Sequence, residues 1–339
     1  MSFQESQMES REPPHQESNE RPAVSTIAGL SPTRLALRRF RKDKLSMASF
    51  IVVAFYLLAA LAAPFLVKAG VLDYLTFNNN HGELNDALGG IPNGHLGGIS
   101  WKHPLGLEPG TGRDALARLW YGVTFSLTIA LSATVIAVVI GTVLGIISGF
   151  TGGLVDSAIG RLIDLTLSFP QTLMLLALSG VFIAVLTDKF HVPSGDVANG
   201  LYVVLVLGLF GWPAIARLIR GQVLTIRERE FIDAARVLGA SRLRLYFKEI
   251  LPNLWAPLLV SFTLVMPAYI SAEAALSFLG VGIKPPTPTL GNVLTGSINY
   301  ATGDFFFFFF PAFLIAVIVV SFNLFGDGIR DALDPKSDQ

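Results

Sequence analysis

Six apolar stretches constrain this chain more than any other feature: Met47 to Val67, Val123 to Ile147, Thr166 to Val185, Gly200 to Ile219, Leu254 to about Leu276, and Phe305 to Phe325. A helix rises ~1.5 Å per residue, so roughly twenty apolar residues cross a hydrocarbon layer of ~30 Å. The stretches are continuous and do not alternate, which favours helices over the strands of a barrel. Charged residues make up only 15% of the chain against 52% hydrophobic, where a soluble domain carries about a quarter charged. The predicted fold class is all-α, a polytopic membrane protein with six transmembrane helices.

The sequence divides accordingly. Residues 1–45 are rich in Ser, Glu, Gln, Arg and Pro, a composition that predicts a disordered tail ending in a basic segment. The first apolar run starts too late for a cleavable signal peptide. Residues 46–67 form the first span. Residues 68–121 form a long outer connection rich in Gly and Asn, whose end "GTGRDALARLWYG" is expected to be a short interfacial helix with Trp120 and Tyr121 at headgroup level. Residues 122–330 hold the remaining five spans, including a polar insert at 221–252, and residues 331–339 are a second tail.

Charge sets the orientation, because Lys and Arg near span ends stay on the cytoplasmic side. Arg34, Arg38, Arg39, Arg41, Lys42 and Lys44 precede the first span, and Arg217, Arg220, Arg227, Arg229, Arg236, Arg242, Arg244 and Lys248 crowd the insert between the fourth and fifth. The third-to-fourth and fifth-to-sixth connections carry only Lys189 and Lys284. Both termini are therefore expected in the cytoplasm of a prokaryotic cell whose plasma (inner) membrane holds the chain.

Several function classes drop out. Net charge is zero, so no global basic field points to nucleic acid. Cysteine is absent, and the five histidines, His15, His81, His95, His103 and His191, lie outside the apolar runs. That leaves no expected catalytic, metal or cofactor residues, and no base for an intramembrane serine protease. An ion-coupled secondary transporter remains the alternative of another class, but it needs ionisable groups near the midplane. Only Glu273 in "VMPAYISAEAALSFLG" comes near, and counting from Leu254 puts it roughly 28 Å along its helix, toward the outer surface. It either lines a path or contacts a docking protein, or else it anchors helices.

Within the second run Gly141, Gly145 and Gly149 recur every four residues. They make a seam for close helix approach or a gating hinge. Arg217 and Arg220 either snorkel to the interface or contact substrate. The Phe305–Phe310 run reads as a lipid-facing start to the sixth span.

The insert is the most informative segment. Phe231, Ala234, Ala235 and Leu238 fall on one helical stripe, Gly239 suits a left-handed cap, Ser241 can cap a second helix, and Leu243, Tyr246, Phe247 and Ile250 repeat the stripe up to Pro252. Spacing alone fits a helix–turn–helix that meets either anionic lipid or another protein.

"DAARVLGASRLRLYFKEILP" resembles the EAA loop of ABC importer permeases, with Asp233 where the signature Glu stands, followed by Ala234, Ala235, Gly239 and the closing Ile250, Leu251 and Pro252. "HPLGLEPGTGRDALARLWYG", "SGFTGGLVDSAIGRLIDLTLSFP", "LSFLGVGIKPPTPTLGNVL" and "FNLFGDGIRDALDPK" extend the resemblance to the C-type permease subunit of dipeptide and oligopeptide importers, from about Leu35 to Lys336. The resemblance implies an ABC importer type I permease fold, without chemistry of its own. It implies a second homologous permease, two cytoplasmic ATPase subunits or domains that hold ATP and Mg, and an extracytoplasmic solute-binding protein. The coupling residues it implies are Asp233, Ala234, Ala235, Gly239 and Ser241. Its cargo would be peptide, with nickel or another small solute as the alternative within the same machinery.

Overall fold

The computed structural model describes residues 32–78, 83–94 and 96–333. Most of the first tail, the last six residues, and His15, His81 and His95 lie outside them. Helix α1 (Pro32–Lys42) is followed by α2 (Lys44–Lys68), which Asp43 caps by accepting from the Leu45 and Ser46 N–H groups. After the outer connection come α3 (Ala115–Thr151), α4 (Gly153–Ser168), α5 (Gln171–Asp188), α6 (Asp196–Ile226), the short α7 (Glu230–Val237) and α8 (Arg242–Arg244). Helices α9 (Trp255–Phe278), α10 (Leu290–Ile298) and α11 (Phe305–Leu333) complete the chain. Six of these, α2, α3, α5, α6, α9 and α11, are long and apolar enough to cross a membrane.

Two sequence expectations are corrected. The interfacial helix before the second span is not separate, because α3 runs unbroken from Ala115. Its 37 residues reach ~55 Å at ~1.5 Å each, so the helix outruns the bilayer and its first turns stand in the outer loop. The third span does not begin at Thr166, since the chain leaves helix at Phe169 and Pro170 and α5 starts at Gln171. Residue 169 precedes a proline, which disfavours helical backbone there.

The core lies along the contact of α3 with α6, with α9 and then α11 and α2 packed around it. Close approach follows from the glycine seam. A Cβ at Gly141 would sit 2.9 Å from the Trp212 carbonyl oxygen, one at Gly145 2.8 Å from that of Ala216, and one at Gly149 2.9 Å from that of Arg220. The glycines therefore press against α6 backbone, as the packing reading required. Trp120 Nε1 donates to the Ala59 carbonyl at 2.9 Å and Thr124 Oγ1 to that of Ala60 at 3.1 Å, pinning α3 to α2. At the other end of α2, Phe40, Phe50 and Phe325 cluster at 5.7–6.2 Å between ring centres, holding α1 on α11.

The outer connection folds as a small lobe. A two-residue antiparallel pair, β1 (Leu84–Asn85) with β2 (Ile91–Pro92), encloses a 3-10 turn at Asp86–Leu88. Glu108 binds Arg113 Nε at 2.6 Å and faces Arg118 Nε at 3.5 Å. Arg118, only 1% exposed, also donates to the Pro286 carbonyl at 3.2 Å, tying the lobe to the segment before α10.

Candidate coupling site

Helix α7 ends as its sequence dictates. Gly239 takes φ +77°, a left-handed conformation that costs a glycine little, and its N–H bonds to the Arg236 carbonyl. Ser241 then caps the next turn by accepting from the Arg244 N–H at 3.3 Å. The following turn differs from expectation. Leu245–Ile250 is π-helical, with the Leu251 N–H bonded to the Tyr246 carbonyl. That five-residue period puts Leu245 and Ile250 on one buried side and leaves Leu243 and Phe247 exposed, so the predicted stripe of Leu243, Tyr246, Phe247 and Ile250 is split. On α7 the residue that packs inward is Ile232; Phe231, Asp233, Ala234 and Leu238 are exposed and Ala235 is half-buried.

The loop thus shows an apolar face to its surroundings, with Val237 88% and Leu238 83% exposed beside the Gly239 turn. Its inner side is firmly mounted on α3. Tyr246 packs edge-on against Phe150 at 5.3 Å and its hydroxyl lies 3.2 Å from Thr151 Oγ1. The Arg236 guanidinium sits 5.1 Å from the centre of the Phe150 ring, and Arg227 Nη1 donates to the Gly149 carbonyl at 3.1 Å. A push on α7 is therefore delivered to the C-terminal end of α3, next to the glycine seam.

Glu273 lies at the opposite end of the core. Its carboxylate is 1% exposed and accepts from Ser126 Oγ of α3 at 2.8 Å and Ser277 Oγ of α9 at 3.0 Å. The Thr289 side chain and the Gly291 N–H, at the start of α10, lie beside it. Ser126 Oγ in turn accepts from the Leu290 N–H at 3.0 Å. Glu273 is enclosed by its own chain, so the path or docking contact considered for it is not its position here. The geometry is that of an anchor joining α3, α9 and α10.

With this architecture in place, the comparisons with known proteins are informative. Residues 141–339 match the family described as binding-protein-dependent transport system inner membrane component, and residues 31–80 match the N-terminal transmembrane domain of oligopeptide transport permease C. The chain belongs to this family. It is 34% identical, over 94% of its length and 95% of the relative's, to a dipeptide transport system permease protein, DppC, of Alkalihalophilus pseudofirmus. It is 33% identical to the oligopeptide transport system permease protein OppC of Bacillus subtilis, covering 91% of this chain and 90% of that one. It is also 34% identical to the glutathione transport system permease protein GsiD of Shigella flexneri, over 94% and 95% of the two chains. Among solved structures, an inward-facing crystal form of the MetNI methionine ABC transporter aligns with a TM-score of 0.51 at 20% identity, over 65% of this chain and 96% of that one. The likeness shows the fold, that of an ABC importer permease. The protein is thus a multi-pass inner-membrane permease subunit of an importer.

In this permease the arginines toward the C-terminal end of α6 do not simply snorkel. Arg220 Nε and Nη2 grip Asp156 of α4 through both carboxylate oxygens at 2.6 and 2.7 Å, and Ser148 of α3 donates to the same carboxylate. Arg217 pairs with Asp164 at 2.7 Å. Sequence reading singled out the two arginines without their acidic partners, because Asp156 and Arg220 lie 64 positions apart. The Arg220 hydrogen bonds, aided by Ser148, lower the Asp156 carboxyl from an ordinary 3.8 to about 2. A lowered folded-state value means the clamp stabilises fully above the unfolded value and is lost as pH falls through the folded one. Acidification from pH 7 to 5 is expected to leave this contribution unchanged, and the window between 3.8 and about 2 to remove it. Thermal unfolding of the detergent-solubilised protein against pH checks this: Asp156→Asn should erase the acid-dependent loss within that window.

Proposed function

We propose that this chain is one of two permeases that form the translocation path of an ATP-driven peptide importer. A second homologous permease completes the path, and a solute-binding protein delivers peptide from outside. Two cytoplasmic ATPase subunits or domains dock on the 221–252 loop through Asp233, Ala234, Ala235, Gly239 and Ser241. Both termini then lie in the cytoplasm, as the basic residues around α1 and α7 require. ATP and Mg belong to the partners, since this chain has no phosphate-binding GxxxxGK[ST] loop. The cargo reading rests on the names of the relatives, which transport dipeptides, oligopeptides or glutathione, itself a short peptide.

The observation that carries the ATPase assignment is the exposed apolar face around Leu238, backed by a rigid mount on α3. Such a patch beside small residues suits a protein groove. Leu238→Asp tests it, because a side chain 83% exposed contributes little to the fold. Membrane yield and unfolding temperature should stay as in the unmodified protein, while ATP-dependent peptide uptake and copurification of the ATPase should fall at least ~10-fold, a loss of ~1.4 kcal/mol in docking. Undiminished ATP-driven uptake by this variant would show that the docking face lies elsewhere.

A further inference from the structure

Helix α1 joins α2 through Asp43 alone, so it lies where the first span begins. Its inner side is fixed by packing. Leu35, Ala36, Arg39 and Phe40 turn toward the bundle and are half-buried. The Phe40 ring rests 6.2 Å from that of Phe50, two turns into α2, and 5.9 Å from that of Phe325 on α11. Gly328 of α11 faces Ser46 and the Phe40 ring with no room for a side chain between them. With its inner side held in this way, α1 cannot roll, and the opposite side points away from the bundle.

That opposite side is cationic. Arg34, Leu37, Arg38, Arg41 and Lys42 are exposed, and at roughly 100° per residue they share one face. Spacings of three and four residues bring the four cations beside one another, where like charges destabilise a helix. Among the described residues no carboxylate pairs with Arg34, Arg38, Arg41 or Lys42. The helix has only 11 residues, too short to be stable alone in water. A face of this kind calls for an anion from outside the chain. Its surroundings say which. Leu45, Phe50 and Ile51, exposed apolar side chains on the first turns of α2, begin the lipid-facing side of that span next to α1. Hydrocarbon therefore starts beside α1, and head groups lie at its level. A basic cluster immediately beside a span, with one exposed leucine among its cations, fits an anionic lipid surface.

We propose that the exposed face of α1 binds anionic phospholipid, with Arg34, Arg38, Arg41 and Lys42 on the head groups and Leu37 toward the acyl chains. The lipid neutralises the face and, through Phe40 and Gly328, braces α1 across the neighbouring ends of α2 and α11.

The chain has no cysteine, so Leu37→Cys and, on the far half of α2, Leu61→Cys each accept a single fluorophore at an exposed position. The intact transporter, its partner chains free of reactive cysteine, is placed in nanodiscs of equal parts phosphatidylcholine and phosphatidylglycerol. A trace of one or the other lipid carries a nitroxide quencher. Nitroxide phosphatidylglycerol should quench residue 37 at least roughly fivefold more than nitroxide phosphatidylcholine, the effect of one cation held at an anionic surface. At residue 61 the two should quench alike. Salt near ~1 M, where the screening length is ~3 Å, should bring the ratio at residue 37 close to one. Arg38→Gln combined with Arg41→Gln should lower it several-fold at low salt without loss of membrane yield, since both side chains are exposed. Equal quenching of residue 37 by the two lipids overturns the proposal, and so does an equal preference at residue 61. An unchanged ratio in high salt or in the double variant also overturns it. If neither lipid quenches residue 37, a protein chain covers this face and the lipid assignment fails.

Discussion

Glu273→Leu should lower the stability of the solubilised permease by roughly 3 kcal/mol, whereas Glu273→Gln should cost about a third of that. The carboxylate is the common acceptor for Ser126 and Ser277, and the Thr289 side chain and the Gly291 N–H lie beside it. Serine and threonine hydroxyls can turn back to a helical carbonyl when the carboxylate is lost. The Gly291 N–H cannot turn, and Ser126 must still hold the Leu290 N–H. An apolar side chain thus strands backbone donors away from water, and each buried unmet donor costs ~1–3 kcal/mol. A glutamine keeps one oxygen acceptor of the same shape. Thermal unfolding in detergent and membrane yield measure the difference. A Leu variant as stable as the parent would mean that the carboxylate does not anchor α10.

Gly145→Leu should be more damaging still. Any Cβ there meets the Ala216 carbonyl oxygen at 2.8 Å and Ile219 Cβ at 2.8 Å. Backbone cannot swing aside as the tip of a side chain can, so α3 and α6 must separate along the line of contact that makes the core. Overpacking by one methyl costs ~1–3 kcal/mol, which sets the expectation for Gly145→Ala; the leucine variant should fail to accumulate folded protein. The pair of variants also separates packing from hinge motion. A hinge glycine changed to alanine would leave the unfolding temperature in place and slow transport, while a packing glycine lowers the unfolding temperature first. Protease resistance and unfolding temperature of Gly145→Ala, read beside uptake, decide between them.

The spans and caps of this permease were legible in the sequence because their causes are local. Apolar length fixes which segments cross, and clusters of Arg and Lys argue their direction. Gly239 and Ser241 behave as their chemistry directs whatever lies around them. Pro170 carried an equally local signal, and extending the third span across it to Thr166 overlooked that signal. The second stripe of the insert failed for another reason. A 3.6-residue period assumes a regular helix, and the π-turn at Leu245–Ile250 reassigns which side chains face inward.

The sequence by itself determined a mostly helical membrane chain, its six apolar crossings, the glycine spacing of its central seam and the family motif of the loop between α6 and α9. Only the tertiary structure decided what the charged residues do. Glu273 meets Ser126 across 147 positions and Asp156 meets Arg220 across 64, and no periodicity in a single helix encodes a partner on another. A carboxylate in a span is costly until donors surround it. Its role as path, dock or anchor is therefore set by which helices close over it.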